Sequence, residues 1–185
     1  MKSVNITYFV HGTTTDNEKG IATGWSPGEL SELGRKQCME LRESIGNKGF
    51  DVAFCSDLKR AVDSAAIMFR DSVNIIQDRR LREVNLGDLT RVDSKKIDSI
   101  MLEHINKPFP KGESCKDVEK RILSFLNDLS KKYPEKNVAI VAHRVPQLAL
   151  EVLINKKSWE QAIVEDWRLK QPKEWKPGWK YELEK

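Results

Sequence analysis

Val138-Ala139-Ile140-Val141-Ala142-His143 is a near-continuous apolar run that stops on a histidine, and Val4-Asn5-Ile6-Thr7-Tyr8-Phe9-Val10 runs into His11-Gly12 in the same way. The first run reads as a central strand covered on both faces. The second, rich in β-branched and aromatic residues, reads as a buried strand entering a loop. If both strands belong to one parallel sheet, they end on the same rim, where loops carry chemistry. His11 and His143 would then face each other although they lie far apart in the chain. Taken singly, either one could be a structural histidine.

Outward from these two strands, the chain alternates strands with helices. Ser31 precedes Cys38, Leu41 and Ile45 at helical spacing, which predicts a capped helix ending near Gly46 or Gly49. Asp51 to Cys55 is a second strand, and Leu58 to Phe69 a helix with Ala61, Ala65 and Met68 on one side. Val73 to Ile76 is a short strand, followed by an irregular charged segment and a weaker helix near Ser94 to Ile105, ended by Pro108 and Pro110. Lys116 to Lys132 has the clearest amphipathic pattern, and Pro146 opens a helix that runs to Ile154. This order predicts an α/β fold, a three-layer sandwich with a mostly parallel central sheet and helices on both faces.

The 185 residues have the size of one domain, so residues 1–185 are expected to form a single unit. Residues 159–185 form an extension holding four of the five tryptophans, Trp159, Trp167, Trp175 and Trp179, among Arg168, Lys170, Lys173 and Lys176. They either pack on the body or cover a site. With 39% hydrophobic and 32% charged residues, the composition is that of a folded soluble protein. The net charge of +4 is spread along the chain; it fits an anionic substrate and gives no nucleic-acid module. No segment reads as a membrane span or signal h-region, so the expected location is cytoplasmic. Cys38, Cys55 and Cys115 lack metal-ligand spacing and read as buried free thiols.

Around the two histidines the chain resembles the histidine phosphatase superfamily, which includes phosphoglycerate mutases and many small phosphatases. The motifs are Val10-His11-Gly12-Thr13-Thr14-Thr15-Asp16-Asn17, Ser56-Asp57-Leu58-Lys59-Arg60-Ala61, Leu81-Arg82-Glu83-Val84-Asn85-Leu86-Gly87-Asp88, Gly112-Glu113-Ser114 and Val141-Ala142-His143. Each alone is a weak signal; five in the family's order are a strong one.

The resemblance implies a phosphatase acting on a small-molecule phosphate monoester. His11 is the nucleophile that forms a phosphohistidine, Arg60 and His143 are donors to the phosphoryl oxygens, and Glu83 is the proton donor. It also implies substrate contacts from Gly12, Thr14, Asn17, Thr23 and Gly24, with no metal and no cofactor. Oligomeric state is not legible. The alternatives are a phosphoglycerate-mutase-like phosphotransferase, favoured by Thr23-Gly24-Trp25, and a catalytically weak phosphate-binding or regulatory protein. The last arises because Val10 stands where the family has an arginine. Arg144, directly after His143, is expected either to replace that guanidinium or to point to solvent or Glu151. His104 lies outside every motif and is expected to face solvent.

Overall fold

The computed structural model describes residues 3–45, 49–170, 175 and 178–184. Its five-stranded sheet has the order β3-β2-β4-β1-β5, built from β1 (Ser3–Val10), β2 (Val52–Cys55), β3 (Ile75–Gln77), β4 (Asn137–Ala142) and β5 (Gly178–Glu184). β1 and β2 both run parallel to β4, β3 runs parallel to β2, and β5 alone is antiparallel, on the outer edge of β1. The mostly parallel three-layer α/β arrangement is therefore present. The fifth strand lies inside the Trp-rich extension, where the sequence reading placed none.

Side-chain alternation divides the core between the two faces of the sheet. Val4, Ile6 and Tyr8 of β1, Val138 and Ile140 of β4, and Phe54 of β2 lie in one cluster. That face is covered by α5 (Cys115–Lys132), α6 (Arg144–Leu153) and α7 (Trp159–Val164). Phe9, Ala139, Val141, Ala53 and Cys55 point to the other face, against α2 (Glu32–Ile45) and α3 (Lys59–Phe69). Three shorter helices, α1 (Thr15–Glu18), α4 (Ser94–Ile100) and α8 (Trp167–Lys170), lie near the rim where β1 and β4 end. The three cysteines are free and buried.

Helix α2 packs directly onto the loop that follows His11. A Cβ at Gly34 would come within 1.9 Å of the Thr13 carbonyl oxygen, and one at Gly12 within 2.6 Å of the Gly34 carbonyl oxygen. Both residues must be glycine for the helix and loop to touch. Ser31 caps this helix, its hydroxyl accepting from Gly34 N at 3.2 Å.

His104, expected at the surface, is buried: its ring stacks on Phe109 with centroids 3.9 Å apart, and Nδ1 lies 2.9 Å from the Lys107 carbonyl. An imidazole with a backbone partner can be buried as a flat aromatic body, which a reading of motifs alone does not anticipate. No helix among the described residues is long and apolar enough to cross a membrane.

Candidate active site

The β1–β4 register pairs Val10 with Ala142, so the next residue on each strand is a histidine, and His11 N donates to the Ala142 carbonyl at 3.1 Å. The rings of His11 and His143 meet at the sheet edge, with centroids 5.1 Å apart and planes at 59°. Tyr8 locks the second histidine from within β1. Its hydroxyl donates to the His143 carbonyl at 2.7 Å and accepts from His143 N at 3.0 Å.

His11 Nδ1 lies 2.8 Å from the Gly12 carbonyl oxygen. A carbonyl can only accept, so Nδ1 carries the proton and Nε2 keeps its lone pair. Burial, then the positive charge of Arg60, and further the charge of Arg168 push the His11 pKa down from 6.5 to about 3. Burial and Arg60 push His143 down as well. Both imidazoles are neutral at physiological pH. Neither ring nitrogen of His143 has a hydrogen-bond partner among the described residues, although both are buried.

These shifts set a pH dependence. Below pH 6.5 the unfolded chain protonates both imidazoles while the folded site keeps them neutral, so the unfolded state binds more protons and stability falls as pH falls from 6.5 towards about 3. Thermal melts are expected to show Tm declining between pH 6.5 and 5, above the carboxylate range, with a shallower decline in His11→Gln. Parallel pH profiles for the two proteins would contradict the assignment.

Arg60 begins α3 and is 2% exposed. Its Nη2 donates to the Gly24 carbonyl at 2.8 Å and Nη1 to the Ser26 carbonyl at 3.2 Å, tying the 23–26 loop to the cavity wall. One turn later Ser64 Oγ donates to the Arg60 carbonyl at 2.7 Å and accepts from Gly12 N at 3.0 Å, joining the first two motifs.

Glu83 sits over the start of α6. One carboxylate oxygen accepts from Val84 N at 2.9 Å and Val145 N at 3.1 Å, and the other from Arg144 N at 3.1 Å. The positive end of the α6 dipole therefore holds this side chain in place. Its backbone is fixed too, the Glu83 carbonyl accepting from Trp25 Nε1 at 2.6 Å and Arg121 Nη2 at 3.0 Å. Arg121 is itself clamped by both oxygens of Glu113 at 3.0 and 3.1 Å. The Gly112-Glu113-Ser114 motif thus buttresses Glu83, and Ser114 caps α5.

His11, Arg60, Glu83 and His143 all line one cavity of about 560 Å³. Asn17, Thr23, Gly24 and Arg144 line it as well. Gly12 and Thr14 do not: the glycine is a packing contact with α2, and buried Thr14 caps α1, its hydroxyl accepting from Asn17 N at 3.0 Å. Thr23 donates to Asp16 at 3.1 Å, and Asp16 is paired with Arg91 at 2.9 Å.

Arg80 and Arg82 pair with Asp78, Asp128 and Asp57, leaving Glu83 to the helix end. Arg144 points neither to solvent nor to Glu151. Its Nε donates to Asp166 at 2.6 Å and its Nη1 to Asp98, so two carboxylates compensate its charge where it lines the cavity.

Among the lining residues not assigned from sequence, Trp167, Arg168 and Trp175 come from the C-terminal extension. Trp175 Nε1 donates to the His11 carbonyl at 3.2 Å. These three side chains wall the cavity, while Trp159 packs in the core. Among the described residues no group of three or more His, Cys, Asp or Glu side chains is arranged to hold a metal ion.

This arrangement sets a fixed neutral imidazole, a second neutral imidazole, a buried guanidinium and a carboxylate around one cavity. The chain is similar to several known proteins. A 2,3-bisphosphoglycerate-dependent phosphoglycerate mutase of Parvibaculum lavamentivorans is 30% identical over 169 residues, covering 83% of this chain and 80% of its own. Phosphoserine phosphatase 1 of Hydrogenobacter thermophilus is 28% identical over 149 residues, covering 76% and 71%. Among solved structures, the mycobacterial glucosyl-3-phosphoglycerate phosphatase complexed with VO3 superposes with a TM-score of 0.78 at 28% identity, over 86% of each chain. The family model of the histidine phosphatase superfamily (branch 1) matches residues 8–171, and the chain belongs to that superfamily.

Proposed function

We propose that the protein hydrolyses small phosphate monoesters in two displacements through a phosphohistidine on His11. The observation that carries this reading is the His11 ring, whose proton is committed to the Gly12 carbonyl so that the Nε2 lone pair is free, within a cavity shared with Arg60 and His143. A neutral, oriented imidazole is what in-line attack on phosphorus requires.

In the first displacement the Nε2–P bond forms as the ester P–O bond breaks, and Glu83, entering the step as the carboxylic acid, gives its proton to the departing alkoxide. In the second, a water oxygen attacks phosphorus, the N–P bond breaks, and the Glu83 carboxylate takes the water's proton. His11 returns to its neutral state and inorganic phosphate leaves. Arg60 and His143 donate to the equatorial oxygens as charge develops on them. No cofactor enters either step.

A phosphotransferase differs only in the second acceptor, an alcohol in place of water, and the name of the Parvibaculum relative favours it. Hydrolysis is the reading we prefer, because the mycobacterial structure that superposes on the chain and the Hydrogenobacter relative are both named phosphatases. The test is a panel of phosphoserine, 3-phosphoglycerate, glucosyl-3-phosphoglycerate and p-nitrophenyl phosphate, followed by assay of phosphate release and of isomerised ester. Phosphate release with a preference within the panel is expected. Isomerisation without release would make the protein a mutase, and neither would leave it a binding protein.

A further inference from the structure

Both active-site imidazoles are neutral, and the charge of Arg144 is compensated by Asp98 and Asp166. Arg60 would then face a doubly charged phosphoryl group almost alone, and Val10, the residue preceding the nucleophile, is apolar and lines the same cavity. A phosphate dianion in a buried site calls for more than one cation.

The structure assigns the second cation to Arg168: we propose that this residue, carried by the C-terminal extension, is a direct ligand of the phosphoryl group. The inference rests on the phosphatase reading and adds a residue that none of the family motifs contains.

The geometry of Arg168 is that of a donor set in advance. Nη1 donates to Asp166 at 2.9 Å and to Gln147 at 3.3 Å. The guanidinium lies over the rings of Trp167 and Trp179, at 5.0 and 5.3 Å from their centroids. These contacts fix its plane and leave Nη2 buried, without a hydrogen-bond partner among the described residues, on a side chain that lines the cavity with His11 and His143. A guanidinium held at one nitrogen and bare at the other suits a phosphate oxygen.

Arg144 also has an unpartnered Nη2, but the two arginines differ in charge balance. Arg144 is paired with two carboxylates, and its pKa is raised through them despite burial. Arg168 has Asp166 alone and shares it; burial dominates and lowers its pKa. Its charge, unlike that of Arg144, is also felt at His11.

Topology explains how an arginine so late in the chain reaches the nucleophile. β5 pairs with β1 so that Gly178 lies opposite Phe9 and Trp179 opposite Tyr8, which brings the start of β5 beside the end of β1. Trp179 then stacks under Arg168 from that position. The docked edge strand thus supplies one of the two rings that hold the Arg168 guanidinium.

The experiment compares the parent with Arg168→Ala and Arg168→Lys, as full chains, in three measurements: kcat/KM on the best ester of the panel, inhibition by orthovanadate, and calorimetric binding of inorganic phosphate. Arg168→Ala is expected to lose roughly 10²-fold or more in kcat/KM and in vanadate affinity, as for removal of a transition-state donor. The lysine variant should recover only part, since it cannot hold Asp166 and a phosphate oxygen in one plane. The lysine variant also serves if the alanine variant does not fold. Parent-like kcat/KM and phosphate affinity in either folded variant would overturn the proposal. If the parent turns over no ester yet binds phosphate, loss of that binding in the variants supports Arg168 and refutes the phosphatase reading. Unchanged binding there, or a parent that does not bind phosphate at all, refutes both.

Discussion

Replacing His11 with Ala should lower kcat/KM for phosphate release by at least about 10⁴-fold, because it removes the atom that bonds to phosphorus and leaves only the surrounding donors. The substitution should change folding little. His11 is partly exposed to the cavity, and among the described residues its side chain bonds only to its neighbour's carbonyl. Inorganic phosphate should still bind to His11→Ala, since Arg60 and His143 keep their supports in α3 and in the Tyr8 hydroxyl. Stopped assays of phosphate release with a thermal melt separate lost chemistry from lost structure. A variant that retains a tenth of the parent rate would place the nucleophile elsewhere.

Arg60→Ala is the second large effect expected, and it should appear in both activity and stability. The guanidinium faces the cavity while it holds the Gly24 and Ser26 carbonyls, so its removal takes away a buried cation and two hydrogen bonds at once. Loss of the transition-state donor predicts a fall of roughly 10² to 10³-fold in kcat. The freed carbonyls predict a stability loss of about 1–3 kcal/mol. Arg60→Lys should restore charge without restoring the fork, so phosphate affinity recovers more than turnover does. Kinetics, phosphate titration and denaturant unfolding on the three proteins check this, and a lysine variant with parent-like kcat would contradict the role given to the guanidinium geometry.

The central strands were legible because burial on both faces writes itself as unbroken apolar sequence. Val138 to Ala142 can sit only in the middle of a sheet, and the register that pairs Val10 with Ala142 then brings the two histidines together. Helix α5 was legible for a similar reason, its apolar face recurring with the helical period. The edge strand β5 was missed although its signal is present. Trp179, Tyr181 and Leu183 alternate with Lys180 and Glu182, the period-two pattern of a half-buried strand.

Other parts of the site have no local signal. The packing role of Gly12 shows only once α2 is in place, where a Cβ would meet the Gly34 carbonyl oxygen. Arg144 is next to His143 in sequence, yet the first turn of α6 aims its side chain at Asp98 and Asp166. Arg168 is held beside the cavity by Asp166, Gln147 and the rings of Trp167 and Trp179, the last carried by the long-range pairing of β5 with β1. Side-chain direction at the start of a helix and long-range strand pairing are tertiary outcomes, which neither spacing nor motif encodes.

The most direct test of the account is to mix the parent with the best ester, quench in alkali within the first turnovers, and map the phosphate-bearing peptide by mass spectrometry, with His11→Ala as the control. The account predicts an acid-labile phosphoryl group on His11 in the parent and no labelled histidine in the variant. A phosphoryl group on His143, or phosphate release with no covalent intermediate at all, would contradict it.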